Sequence, residues 1–248
     1  MKKSIMAICA AALICSAFSL NTFRVNGKEL SMLSGETGAY AEGSTGFDFN
    51  KLVASKVYVD RKIDVARFDE IVSKGNFNII YTVGDPAVTV HASDNVVDHI
   101  IVSVKDACLE IRSDGTRFLS IGDVEVYVSS RSLNTVKING SGDFEAEHGM
   151  CGENVSLNIN GAGDIDIDGL LAENVEVTVN GAGDIDIDKL ECKELSVTIN
   201  GAGDADISGK SESADLKING AGGIDIKELV CPKVYSSVKG IGEISRNR

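Results

Sequence analysis

The chain has no tryptophan, only 2 prolines and 3 histidines, and aromatic residues fill 5% of its 248 positions. So few rings leave little stacking surface for bases or sugars. His91, His99 and His148 are scattered, without the partners that a catalytic triad or a metal site requires, and read as ordinary surface or packing residues. Basic charge is scarce as well: 24 Lys and Arg stand against 37 Asp and Glu, a formal net charge of −13. That balance excludes nucleic acid as a partner, because phosphate binding needs a basic stripe. Apart from residues 5–20 there is no long apolar run, so no transmembrane span is expected in the mature chain. With 43% hydrophobic and 25% charged residues the composition is that of a packed domain rather than a disordered one.

The one apolar run follows Lys2 and Lys3 and extends from Ile5 to Leu20. A basic start followed by a short, Ala-rich stretch is the pattern of an export signal, which predicts a signal peptide over residues 1–20, cleaved after Ala17 or Ser19. Isoleucine precedes both Cys9 and Cys15, which disfavours lipidation at either. Removing the signal leaves Cys108, Cys151, Cys192 and Cys231. Residues 21–56 contain a Gly, Ser, Thr and Glu-rich stretch from Ser34 to Gly46 with no apolar period, and predict a flexible segment. The folded domain is assigned to residues 57–248.

What the sequence has in quantity is glycine, 26 in all, and a phrase built on it. NGSGDF begins at Asn139, NGAGDIDID at Asn160 and again at Asn180, NGAGDADIS at Asn200, NGAGGIDI at Asn219 and KGIGEIS at Lys239. The starts are 21, 20, 20, 19 and 20 residues apart. Near-constant spacing signals stacked units, none able to bury its apolar face alone. Within a unit Val155, Leu157 and Ile159 alternate with polar residues before the Asn-Gly pair, and Ile165 and Ile167 alternate with aspartates after it. A period of two means strands. Asn-Gly is also a hairpin turn, so an antiparallel meander or sandwich is the alternative. A parallel β-helix with rungs of about 20 residues is the reading adopted, because coiling sets each copy over the last at about 4.8 Å and so explains why one residue type holds one phase. Asn139, Asn160, Asn180, Asn200 and Asn219 then form an amide ladder, and the glycines after them a column at positive φ. Cys151, Cys192 and Cys231 each lie 12 residues after their unit's asparagine, which predicts one column of unbridged thiols in alternate rungs. Residues 57–138 keep strand character without the phrase and predict irregular rungs of the same domain.

Acidity is concentrated on the repeats: residues 139–230 hold 20 acidic and 5 basic side chains. Asp164, Asp184 and Asp204 are expected in one outward column and Asp166, Asp186, Asp206 and Asp225 in another. These six central aspartates, Asp164, Asp166, Asp184, Asp186, Asp204 and Asp206, are the one candidate cation ladder. The aspartate phase is shifted by one residue from the calcium-binding nonapeptide repeat, which turns the side chains to the other face, so no metal site is assigned. No catalytic or cofactor-binding residue is assigned either, since residues 139–230 contain only Phe144 as an aromatic and no arginine to hold a substrate.

Beyond single motifs, the order of the pieces is informative: Phe68, then Gly75-Asn76-Phe77-Asn78-Ile79, Ala107-Cys108-Leu109-Glu110-Ile111, Val124-Glu125-Val126-Tyr127-Val128, NGSGDF and the NGAGD copies. Over residues 57–245 this resembles the auto-transporter adhesin head domain, or GIN domain, of exported Bacteroidetes proteins. The resemblance implies a β-solenoid, a secreted or cell-envelope location (periplasmic, outer-membrane-associated or extracellular), and an adhesion or interaction role without catalytic residues. Its partner would be an envelope protein, a glycan or a host surface. Nothing before Val57 or after Arg248 has the strands of a translocator barrel, so self-transport is not expected. A carbohydrate-active β-helix enzyme and a cation-stabilised structural module are the competing functions.

Overall fold

Alternation of aliphatic and polar residues over a 20-residue period places one inward column of side chains under every strand, and the backbone answers by coiling. The computed structural model describes residues 53–116 and 122–247, with backbone strands also at Phe118–Ser120, Asn21–Val25, Lys28–Gly35 and Gly38–Glu42. The signal peptide expected at 1–20 lies outside the described residues. The chain divides into two units, 1–52 and 53–248. In the first, the three strands form an antiparallel sheet, with Asn21 opposite Met32 and Ser31 opposite Glu42. In the sequence, Thr22 to Val25 and Glu29 to Leu33 flank an Asn26-Gly27 pair, the same hairpin signal weighed for the repeats.

The second unit is an all-β solenoid. Each rung has three sides. The long first side is made in turn by Thr135–Gly140, Asn154–Gly161, Asn174–Gly181, 194–201, 213–220 and Lys233–Gly240, all parallel and in register. The second side stacks Phe144–Ala146, Ile165–Ile167, 185–187, 204–206, Gly223–Asp225 and Glu243–Ser245. The third is short, from Met150–Cys151 through Leu170–Leu171 to Leu229–Val230. Asn160 pairs with Asn180 and Gly161 with Gly181, so matching letters are spatial neighbours and the meander alternative is set aside. The inward residues Val155, Leu157, Ile159, Ile165, Ile167 and Leu170 and their copies as far as Leu229 are buried. Removing such side chains from water, at about 25 cal/mol per Å², is the main force holding rung to rung.

Residues 57–138 depart from the expected run of irregular rungs. Glu70–Gly75 and Asn78–Val83 form a rung directly beneath 135–146, with Gly75 paired to Gly140. The rung below that one comes later in sequence: Cys108–Ser113 lies parallel to Glu70–Gly75, and Glu125–Ser130 parallel to Asn78–Val83. The end is then closed by antiparallel strands, Ile100–Lys105 on Cys108–Ser113, and Ala87–Ser93 on Glu125–Ser130, with Tyr58–Ile63 outermost. Rings fill this end. Phe68, Phe77, Tyr81 and Phe144 are all buried, Tyr81 stacks near Phe144 at 6.0 Å, and its hydroxyl donates to Ser130 O at 3.0 Å. Burial pushes the Tyr81 phenol above its ordinary range. At the other end Lys233–Gly240 is mostly exposed and carries Lys233 and Lys239, charges that discourage pairing of a sheet edge with another chain.

Glycine is required where the rungs touch at the first corner. Gly181 has φ 150°, and a β-carbon there would lie 1.9 Å from the carbonyl oxygen of Gly161. Replacement of Gly181 by alanine is expected to lower unfolding free energy in urea by about 3 kcal/mol or more, since a backbone clash is added to backbone strain. Gly169, where an added β-carbon meets nothing within 4 Å, is the control, and Gly169→Ala should shift stability by less than about 1 kcal/mol.

Candidate functional site

The outward residues of the repeat separate into columns with different work. Asn160 Nδ2 donates to Asn139 Oδ1 at 3.0 Å, Asn180 to Asn160 at 2.9 Å, Asn200 to Asn180 at 2.9 Å and Asn219 to Asn200 at 2.8 Å. The expected ladder is therefore continuous, and Asn139 ends it on Ser73 O at 3.2 Å. The aspartates closing the phrase are also structural. Asp143 Oδ1 accepts the Asp164 backbone N–H at 3.1 Å, Asp164 that of Asp184 at 2.9 Å, and Asp184 that of Asp204 at 2.8 Å. Each carboxylate thus receives the main-chain donor of the next rung, which accounts for the recurrence of aspartate at this corner.

The second column has no such partners. Glu145, Asp166, Asp186, Asp206 and Asp225 are paired rung to rung along the second side. Asp166, Asp186 and Asp206 are exposed. Partial burial and the charges of Asp166, Asp188 and Asp206 raise the Asp186 carboxyl above its ordinary value. The charge is answered toward the last described member, where Lys227 forms an ion pair with Asp225 and gives its own backbone N–H to Asp225 Oδ1 at 2.9 Å, holding that carboxyl down, while the same ammonium also feels the charge of Asp206. Among the described residues no group of three or more His, Cys, Asp or Glu converges as a metal site would. The six aspartates of the candidate cation ladder are therefore two columns, one bound to backbone and one spaced at the strand repeat.

Cys192 and Cys231 keep the expected column, with Ser211, one residue after the pairing of Lys210 with Val230, between them, but Cys151 departs from it. Cys151 pairs with Leu171, and Leu171 with Glu191, whereas Cys192 pairs with Ser211. The extra residue of the 21-residue first unit falls in the turn between Ala146 and Met150, where Gly149 has φ 73°, and shifts Cys151 by one place. Cys108, Cys151, Cys192 and Cys231 are all free.

A second cluster was not foreseen, because its residues come from three strands separated by up to 69 positions. Asp60, His91 and Glu125 form one row across neighbouring strands of the antiparallel end. His91 Nδ1 lies 2.6 Å from Asp60 Oδ1, and its ring lies parallel to Tyr58 at 5.4 Å with 10° between planes. Tyr127 donates its hydroxyl to Glu125 Oε2 at 2.5 Å, and the accepting carboxylate raises the Tyr127 phenol. Tyr58 and Tyr127 are 42% and 45% exposed. A period-two reading puts these five residues on one side of their strands; only the pairing of those strands brings them together. Elsewhere, a groove of about 600 Å³ runs across the rungs beside Asn154, Asn174, Glu176 and Glu194 and ends at the exposed Tyr235.

The sequence matches the family model described as "Putative auto-transporter adhesin, head GIN domain" over residues 67–187 and again over 155–247. The chain belongs to this family. Solved structures share the fold of this chain. A "putative adhesin" from Bacteroides fragilis NCTC 9343 superposes with a TM-score of 0.66 at 25% identity, covering 79% of this chain and 100% of its own. A second "putative adhesin", from Parabacteroides merdae ATCC 43184, gives 0.68 at 18% identity, over 80% of this chain and 100% of its own. A "putative lipid binding protein" from Parabacteroides distasonis ATCC 8503 gives 0.64 at 16% identity with the same coverage. No curated protein matches the sequence.

The two aspartate columns should respond oppositely to mutation. Asp184→Ala removes an acceptor from the Asp204 N–H and should cost about 1 kcal/mol in chemical denaturation. Asp186→Asn removes a repelled charge and should raise the melting temperature at pH 7. Because the folded-state carboxyl of Asp186 titrates above its unfolded value, the wild-type protein is favoured at low pH and loses that benefit as pH rises through the folded value. The gain from Asp186→Asn should accordingly fade as pH falls through the folded value and be gone below about 3.9, the ordinary aspartate value.

Proposed function

We propose that this GIN-domain chain is an exported, non-enzymatic interaction module of the cell envelope or surface, which meets its partner through the acidic second side of the solenoid. The observation that carries this reading is the column Asp166, Asp186 and Asp206, exposed, in register and without the backbone bonds that occupy the neighbouring aspartates. Aligned carboxylates about 4.8 Å apart repel one another, and a cationic surface laid along them relieves that repulsion. A stack of rungs also offers the extended, nearly rigid face that repeat proteins use for binding. Family membership and the signal-like N-terminus support export, and among the described residues no helix is long and apolar enough to cross a membrane. Partners consistent with this chemistry are an envelope protein or a host surface bearing basic groups.

The test compares beads coated with wild-type protein and with the Asp166→Asn/Asp186→Asn/Asp206→Asn variant for attachment to intact Bacteroides cells and to plates coated with a basic protein. Wild-type attachment should fall several-fold between about 0.05 and 0.5 M salt, as screening shortens the reach of the column. The variant should attach about tenfold less at low salt while melting no lower than wild type. Equal attachment of the two proteins, or attachment indifferent to salt, would remove the acidic side as the contact.

A further inference from the structure

We infer that the antiparallel end of the solenoid carries a saccharide-binding site on its outer surface, with Tyr58 and Tyr127 as stacking rings and Asp60, His91 and Glu125 as hydrogen-bonding groups, for a neutral or amino-bearing pyranoside. The inference deepens the interaction role proposed above by giving it a ligand class, but it rests on different residues. Of the large apolar or aromatic side chains left exposed among the described residues, three are tyrosines, and two of these, Tyr58 and Tyr127, belong to one cluster. Both rings are held in place before any ligand arrives. Glu125 fixes the Tyr127 hydroxyl, and Asp60 fixes His91, against which Tyr58 lies flat. Rings already oriented lose little conformational freedom on binding, which is why rigid aromatic side chains serve as anchors.

The backbone beneath them is fixed as well. Ala87–Ser93 is paired on both edges, by Tyr58–Ile63 and by Glu125–Ser130, so the row Asp60, His91, Glu125 spans two strand spacings, about 10 Å. Tyr58, on the row of Ser93, and Tyr127, on the row of Thr89, flank that row on opposite sides, so their backbone positions stand about 17 Å apart, the length of about three pyranose rings. An aromatic face is electronegative and receives the C–H face of a sugar, while carboxylates at its edge accept hydroxyl or ammonium donors. The same carboxylates, on a chain of net charge −13, disfavour uronic and sialic acids. Lys62, paired with Thr89 in the adjoining row that also contains Tyr127, supplies a donor beside the acids.

The full chain without its signal would be titrated, by nitrogen–proton NMR shifts, with cellotetraose, maltotetraose, triacetylchitotriose, chitosan tetramer and tetragalacturonate. At least one neutral or amino-bearing probe should bind with Kd below about 1 mM, a threshold of about 4 kcal/mol, and tetragalacturonate should not. Tyr127→Ala and Tyr58→Ala should each weaken binding tenfold or more, Tyr127→Phe, which keeps the ring but frees it from Glu125, about threefold, and Asp186→Asn not at all. Absence of binding by every probe, binding unchanged in Tyr127→Ala, or release of shorter sugars as product would each overturn the inference. Should saccharide binding be absent while bead attachment still depends on the three aspartates, this inference alone fails. Should binding depend on Tyr127 while attachment ignores those aspartates, the acidic-side reading alone fails.

Discussion

The structure depends on parallel rungs lying in register, one strand spacing apart. At that distance a side chain meets its own copy above and below, so a residue is retained when it bonds well to itself or to the next backbone. Asparagine meets this condition with an amide that donates upward and accepts from below, and glycine meets it by having no β-carbon to strike the carbonyl of the preceding rung. Aspartate meets it at the corner, where the charge is turned onto a main-chain N–H, and fails to meet it two residues later, where the carboxylates face only each other. The phrase NGAGD is thus a description of one corner in five letters. The aspartates outside that phrase are the ones free to serve another purpose.

Stacking has two ends, and they are finished differently. At one end the chain leaves the coil after Val83, builds antiparallel strands and returns to place Cys108–Ser113 and Glu125–Ser130 under the rung already made. Gly75, with φ 146°, is the first member of the corner column, followed in space by Gly140 65 residues later. Closing so long a loop before any contact compensates for it is entropically unfavourable, and the buried rings of Phe68, Phe77, Tyr81 and Phe144 offset that with larger apolar contact areas than the aliphatic rungs have. At the other end the last strand keeps lysines along its exposed length and remains a strand edge.

Regularity and specificity are divided along the same axis. The repeats present the same groups again and again, which suits an extended electrostatic contact. A unique arrangement of side chains needs a place where the repeat is broken, and the antiparallel end, with Tyr58, Asp60, His91, Glu125 and Tyr127 together, is such a place. Solved structures of 16–25% identity share this fold, and the coil itself asks only for small residues at corners and aliphatic residues inside.

By itself the sequence determined the all-β class, the coil, its 20-residue pitch, the asparagine ladder and the inward columns, because each of these is a periodic property and period survives in one dimension. The register of Cys151, the strands within residues 21–42, the out-of-order rung at 108–130 and the row of Asp60, His91 and Glu125 were decided only by tertiary structure. A one-residue turn insertion displaces a column without altering the spacing pattern by more than one, and residues 31 to 65 positions apart become neighbours through strand pairing that no local pattern records. The two aspartate columns show the same limit within a single motif: their letters are identical, and only the position of the next rung's N–H separates a structural carboxylate from an unpartnered one.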